Sequence, residues 1–232
     1  MQLFKRVYFL SILLIFIGCG SDSNTPQNPI EDSPYAKEFI NDNLCDVTLD
    51  KLYYTVCYDN QLKAAKAVFY HLDGDLVNEL NIQDRPPFYE EEMLDINSRA
   101  SYDDYTNSGY DRGHLAPDAS FDWSQESLDA TYSLANIIPQ APEVNQQMWV
   151  DVESYERTKA EELGEVNVLN VVKYDASPLR IGANQIAVSK GFYKVIYIDD
   201  YMECFYYEND LNASSQGDSL ALHQVGCSGV AY

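Results

Sequence analysis

Apolar residues gather in strand-length bursts through much of this chain. Residues 52–58 and 65–72 form two such bursts on either side of the polar Asp59-Asn60-Gln61. β-rich runs flanking a short polar break predict a β-hairpin. Residues 166–172, 192–198 and 202–207 repeat the pattern, and Asp199-Asp200 separates the last two. Shorter strand-like pieces fall at 112–115 and 133–138. One segment has a different period. After Pro142, Val144, Met148, Val152 and Tyr155 recur at steps of four, four and three, as one buried helical face requires. Residues 35–43 predict a short helix. Residues 73–110, polar and acidic with Pro86-Pro87, predict a loop-rich stretch. No internal repeat is visible. Strands and helices in this mixed order, without βαβ alternation, predict an α+β fold with a largely antiparallel sheet.

The N-terminus follows another logic. Lys5 and Arg6 precede an apolar run over 7–17, broken only by Ser11. That run is short for a membrane span and suits the core of a signal peptide. Ile17-Gly18-Cys19 then resembles a bacterial lipobox, with Phe16 where such boxes usually carry Leu. Residues 1–18 are therefore expected to be a lipoprotein signal peptide, with a lipid on Cys19 holding the exported protein to a membrane. An ordinary signal peptide with an incidental cysteine is the other reading, and it also exports the chain. Residues 19–34, with Pro26, Pro29 and Pro34, read as a polar tether. Residues 35–232 read as one domain, which is length enough for a sizeable core.

Export changes the meaning of the cysteines. Cys45, Cys57, Cys204 and Cys227 remain, an even number in a compartment that permits disulfides. Three pairings are open. No Cys-x-x-Cys spacing points to zinc instead. The net charge of −22 becomes −24 once Lys5 and Arg6 leave with the signal. Such acidity argues against long-lived binding to nucleic acid. It leaves room for an enzyme whose few basic groups line one cleft and whose metal ion adds positive charge.

Three histidines bound the search for acid–base chemistry. His71 sits inside a predicted strand and reads as structural. Nothing around His223 suggests a role. His114 follows Arg112 by two residues, so on a strand both point to one face. An imidazole can take a proton from water, and a guanidinium beside it can hold a phosphate.

The surrounding residues carry more. Asp111-Arg112-Gly113-His114-Leu115-Ala116-Pro117 closely resembles the Asp-Arg-Gly-His-x-Ala-Pro signature of the DNA/RNA non-specific endonuclease family, the ββα-metal type that includes endonuclease G. Leu134-Ala135-Asn136-Ile137-Ile138-Pro139-Gln140 resembles its Ser-Asn-x-x-Pro-Gln stretch. Asn145-Gln146-Gln147-Met148-Trp149 resembles its Asn-Gln-x-x-Trp, and Glu153 stands at the family glutamate. Phe192-Tyr193-Lys194-Val195-Ile196 is similar to its Tyr-Trp-Lys-Val-Ile strand. The resemblance covers roughly residues 52–208.

The resemblance implies a ββα-metal fold and hydrolysis of DNA and RNA with little sequence specificity, leaving 5′-phosphates. It implies His114 as general base, Asn145 as the one protein ligand of a hydrated Mg²⁺ (Mn²⁺ as a substitute), and Glu153 as acceptor from the ion's waters. Arg112 and Arg85 would hold phosphate oxygens, and Asn136 and Gln140 would orient groups around the site. On a regular helix Asn145, Trp149 and Glu153 share one stripe, and Asn145 and Glu153 stand ~12 Å apart along the axis. Direct ligation by both is therefore not expected, and Trp149 reads as core. Two features depart from the family. Leu169-Asn170-Val171-Val172 lacks the usual Thr-Gly-Pro-like turn, and no Val-x-x-Asp-Glu-Ile-Glu-like helix follows. Disulfides are expected to make up for that helix. Two other functions compete: a catalytically inactive surface lipoprotein that binds through the same fold, and a phosphodiesterase for small nucleotides.

Overall fold

A computed structural model describes Ile30 and residues 33–232. The signal peptide, the lipobox and nearly all of the expected tether lie outside the described residues. The end of that tether is anchored: Ser33 caps a helix, α1 (Pro34–Phe39), by accepting from the Ala36 N–H at 3.2 Å. The helix predicted over 35–43 stops at Phe39, where Ile40 takes an extended conformation and turns follow.

The strands are β1 (Val47–Asp50), β2 (Tyr54–Asp59), β3 (Ala64–Asp73), β4 (Asp111–His114), β5 (Ile137–Gln140), β6 (Glu165–Lys173), β7 (Arg180–Ile181), β8 (Ile186–Ala187), β9 (Gly191–Ile198), β10 (Tyr201–Glu208) and β11 (Gln224–Val225). Seven of them form one antiparallel sheet in the order β1-β2-β3-β6-β9-β10-β11. The predicted hairpin is β2–β3. Its turn is made by Asp59, whose carboxylate accepts the N–H groups of Gln61 and Leu62 at 2.9 and 2.8 Å, a local bond that Asp favours at turns.

Both faces of this sheet are covered, which is why its strands read as apolar runs rather than as alternating patterns. One face carries Tyr70, Val168, Phe192 and Ile196, packed with Trp149 and Val152 of the long helix α3 (Trp149–Leu163). The other carries Phe69, Leu169, Val171 and Val195, packed with Ala36 and Phe39 of α1. Disulfides Cys45–Cys57 and Cys204–Cys227 tie chain segments to the sheet. Among the described residues every cysteine lies in a disulfide, so none of these offers a thiolate for zinc.

Several elements were not legible in the pattern. α2 (Gln125–Thr131) is short and begins at the cap Ser124, whose hydroxyl accepts the Ser127 N–H at 3.1 Å. β1 alternates and buries only Leu49. α4 (Leu220–His223) and β11 bury nothing fully, yet β11 pairs with β10 and Cys227 is bonded to Cys204. The strand expected over 133–138 begins later: Leu134–Asn136 is a 3-10 turn, and pairing starts at Ile137. The predicted helix after Pro142 is present, but its first turn, Val144–Met148, is π-helical before α3 begins.

Candidate active site

β4 and β5 form a separate two-stranded ribbon that pairs Asp111 with Gln140 and His114 with Ile137. Gly113 permits the ribbon to sit against the Gln140 side chain, since a Cβ there would lie 2.1 Å from it. Asn136 then brackets the chain leaving His114. Its Oδ1 accepts the Ala116 N–H at 2.8 Å, and its Nδ2 donates to the carbonyls of Ala116 and Thr131, each at 2.9 Å. Asn136 and Gln140 are thus fully buried beneath the ribbon. Both polar atoms of the Gln140 amide are buried without a protein partner.

His114 sits in an aromatic box. The Phe88 ring lies 5.5 Å from the imidazole and the Tyr132 ring 5.0 Å, the latter edge-on. Its Nε2 is buried with no hydrogen-bond partner, an atom that ordinarily finds one. The Tyr132 hydroxyl donates to Asp118 at 2.8 Å, and Arg85 Nε meets the same Asp118 oxygen at 3.1 Å. Arg85 Nη2 reaches Asp122 at 3.1 Å, and Nη1 donates to the Ile82 carbonyl. A guanidinium carries five N–H groups, so one on each terminal nitrogen is still free. Arg112 has partners of its own. It donates to the Tyr102 carbonyl at 2.7 Å and lies 3.7 Å over the Tyr102 ring.

The helix side of the site is fastened to the same ribbon. Asp111 accepts from Asn145 Nδ2 at 3.1 Å and from Gln146 Nε2 at 2.7 Å. A carboxylate can only accept, so it fixes the amide end that faces it and leaves the Asn145 Oδ1 carbonyl free. That is the hard oxygen donor a hydrated Mg²⁺ takes. Among the described residues no group of three or more His, Cys, Asp or Glu is arranged to hold a metal. A single amide ligand is the donor set that fits here. The π-helical turn resets the phase between Asn145 and α3, a feature found often at functional sites. Trp149 lies in the core, as expected, 4.7 Å from the Phe192 ring and 5.2 Å from the Tyr207 ring.

One turn past Glu153 lies a buried polar knot. Glu156 and Lys194 are fully buried and paired. Tyr70 donates to both oxygens of Glu156 at 2.8 and 3.0 Å, and Ser120, six residues past His114, donates at 2.9 Å. Asn170 stands where the family's turn would begin and donates to the Leu115 carbonyl at 2.7 Å. The knot locks α3, β6, β9 and the chain after His114 together.

Electrostatics separate the two titratable groups. Burial pushes the His114 imidazole down to about 4, with Asp118 opposing and Arg85 adding to the fall. Burial pushes the Glu153 carboxyl up to about 8; Lys194 and Arg157 oppose, while Glu156 and Asp118 reinforce. Glu153 is nonetheless partly accessible. The Asp118 charge acts on both groups.

Asp118, Asp122, Tyr132 and Arg157 were not singled out by sequence reasoning. Arg157 had a readable signal, since it stands four residues after Glu153 on one helix face. Its Nη1 is buried without a partner. Asp118 and Asp122 had none, because their partner Arg85 is more than thirty residues away in sequence.

Two short antiparallel strands bearing a histidine, followed by a helix bearing an asparagine, define the ββα-metal nuclease class. Comparison with known proteins agrees. The model of the DNA/RNA non-specific endonuclease family matches residues 32–220, and the chain belongs to that family. It is 32% identical over 160 residues to endonuclease G, mitochondrial, of Bos taurus, covering 63% of this chain and 52% of that protein. A nuclease of Nostoc sp. is 28% identical over 149 residues, covering 63% and 53%. The solved EndoG/EndoGI complex, a study of EndoG inhibition, superposes with a TM-score of 0.71 at 25% identity, covering 78% of this chain and 80% of that one. The chain spans about half the length of the curated relatives it matches.

Proposed function

We propose that this protein is a Mg²⁺-dependent endonuclease, with Mn²⁺ as a substitute ion, that hydrolyses phosphodiester bonds of DNA and RNA with little sequence specificity. One observation carries the reading: the buried, unpartnered Nε2 of His114, held in an aromatic box beside Arg85. Its low pKa keeps the imidazole neutral at neutral pH, so Nε2 accepts a proton from the attacking water. A phosphate arriving beside it adds negative charge and raises its basicity toward the useful range. Arg85 binds phosphate oxygens through its two free N–H groups, and Arg112 stands on the same strand as His114 to assist. Asn145 would hold the cation through Oδ1, Asp111 holds Asn145 in place, and Glu153 would accept hydrogen bonds from the ion's waters. When bound, the ion supplies neutralisation of charge on the phosphate and on the leaving 3′ oxygen. Cleavage on that side leaves 5′-phosphates. A site that would engage the phosphate rather than base edges supports low sequence specificity.

Export with a lipid on Cys19 belongs to the same proposal, and the two disulfides are compatible with an oxidising compartment. The test is cleavage of plasmid DNA and of RNA by the purified protein with Mg²⁺, with Mn²⁺ and with EDTA. His114→Ala is expected to lose at least a hundredfold in rate with an unchanged circular-dichroism spectrum. Full activity in that variant would remove the assignment. Cleavage of dinucleotides but not polymers would replace it with the small-nucleotide reading, and no cleavage at all with the binding-module reading.

A further inference from the structure

The segment after Arg85 has two sides. Phe88 turns its ring to His114, while its neighbours Pro87 and Tyr89 face away and line a separate cavity of about 540 Å³ with Leu52, Tyr53 and Pro86. Tyr53 is braced edge-on by Trp123, with ring centroids 5.5 Å apart. Tyr89 is 39% exposed, and Lys51 lies 5.4 Å from its ring centroid. Leu52 presents an apolar side chain that is 39% exposed from a left-handed backbone, φ 68°.

Charge selects the occupant. Glu126 and Asp129 stand in the cavity wall, and the one cation there, Lys51, is already paired with Glu91 at 2.5 Å. A phosphate would be repelled. A neutral, flat, aromatic group with amino donors meets both aromatic walls and the carboxylates. We infer that this cavity is a nucleobase subsite, filled by an unstacked base of a nucleotide neighbouring the scissile phosphate on a single-stranded substrate. Tyr53 and Tyr89 stack the base, and Glu126 accepts from its exocyclic amine. Cytosine and adenine carry that amine, and thymine and uracil do not. A base inside a duplex cannot enter without leaving its stack. The inference rests on the nuclease reading for its placement, because residues 86–89 link the two: Phe88 lies against His114 and its chain neighbours Pro87 and Tyr89 line the cavity.

The test separates the two readings. Binding is measured on His114→Ala in EDTA, by fluorescence anisotropy with labelled oligo-dC, oligo-dT and a duplex of mixed sequence. Cleavage by the unmodified protein is scored in parallel. Oligo-dC is expected to bind several-fold tighter than oligo-dT and the duplex. Tyr53→Ala or Tyr89→Ala, each added to His114→Ala, is expected to weaken oligo-dC binding about five- to tenfold, as loss of one stacked base does. Glu126→Gln, added likewise, is expected to narrow the dC-to-dT difference while the fold, followed by thermal melting, is unchanged. Should Tyr53→Ala melt early, Tyr89→Ala and Glu126→Gln carry the test. Equal binding of dC and dT, or alanine variants that bind like the parent, overturns the subsite even where cleavage is normal. Base-dependent binding without cleavage keeps the subsite and removes the nuclease reading.

Discussion

The Lys194–Glu156 pair offers the sharpest test of how the site is held. Both side chains are fully buried. Lys194 also donates to the Tyr70 hydroxyl at 2.9 Å and lies 4.8 Å from the Trp149 ring centroid. Lys194→Met keeps the bulk and removes the charge. Glu156 would then be a buried anion with only the Tyr70 and Ser120 hydroxyls as donors. Breaking a buried pair from one side costs about 3–5 kcal/mol, and the two surviving donors place this case near the low end, ~3 kcal/mol. For a chain of this size each kcal/mol moves Tm by ~2–4 °C, so a fall of about 6–12 °C is expected. Glu156→Gln in the Lys194→Met background leaves no buried charge and keeps an acceptor for Tyr70 and Ser120, so it should restore much of the loss.

Urea unfolding of the parent, both single variants and the double variant at neutral pH gives the cycle. A Lys194→Met variant within 1 kcal/mol of the parent, or a double variant that loses the full sum of the singles, would refute the reasoning. The pair also bears on chemistry, because Lys194 is a cation that holds the Glu153 carboxyl down against burial. Its removal should move Glu153 still further up, and the alkaline shift of the pH–rate profile reads that directly.

Gly113→Ala places a Cβ 2.1 Å from the Gln140 side chain and should cost ~1–3 kcal/mol by overpacking; pairing it with Gln140→Ala should return part of the stability, measured by urea melts. The Cys45–Cys57 and Cys204–Cys227 disulfides close segments with separations of 12 and 23 residues, so by chain entropy each contributes ~3 kcal/mol; a melting curve unmoved by reductant would remove that contribution. The buried His114, at about 4, refuses a proton that the unfolded chain takes up near 6.5, so stability falls as pH drops through that window, by at most ~1.4 kcal/mol per pH unit. Glu153 acts in the opposite sense, because a carboxyl raised to about 8 binds its proton first in the folded state and adds stability as pH falls from 8 toward 4.5. The difference between the parent and His114→Ala isolates the histidine, and identical pH dependence in the two proteins would contradict its burial.

Much of the sheet was legible because burial on both faces turns each central strand into an unbroken apolar run, as in β6 and β9. The helix after Pro142 was legible from its period, but its π-helical opening was not, since an extra residue in one turn leaves no mark on a four-residue step. His114, Asn145 and Glu153 could be singled out by resemblance, and the structure adds what surrounds His114 and Asn145. The braces of the site come from far along the chain. Tyr70, Lys194 and Asn170 reach the site across the sheet, and a linear pattern records each of them only as one more strand residue. The C-terminal segment was unreadable for a different reason. α4 and β11 bury little, so a disulfide and a two-residue pairing, rather than hydrophobic periodicity, hold them in place.

The acidity of the chain takes on a definite meaning in this arrangement. Lys51 is paired with Glu91, Lys194 with Glu156, and Arg85 with Asp118 and Asp122. These cations are neutralised at close range and project little field into solvent. On the proposed function, a nucleic acid would meet an anionic surface until its phosphate is within contact distance of Arg85 and Asn145. Attraction then depends on displacing or sharing the carboxylates around Arg85, and on the charge of a divalent cation. Such a site holds a phosphate weakly while it is intact and gains most of its attraction where a cation and a developing negative charge coincide. That is the distribution a hydrolase needs, because binding that is equal for substrate and transition state does nothing for the chemical step. On the proposed function, a chain with a net charge of −22 would serve phosphodiester hydrolysis through a site built for turnover rather than for retention of its polymer.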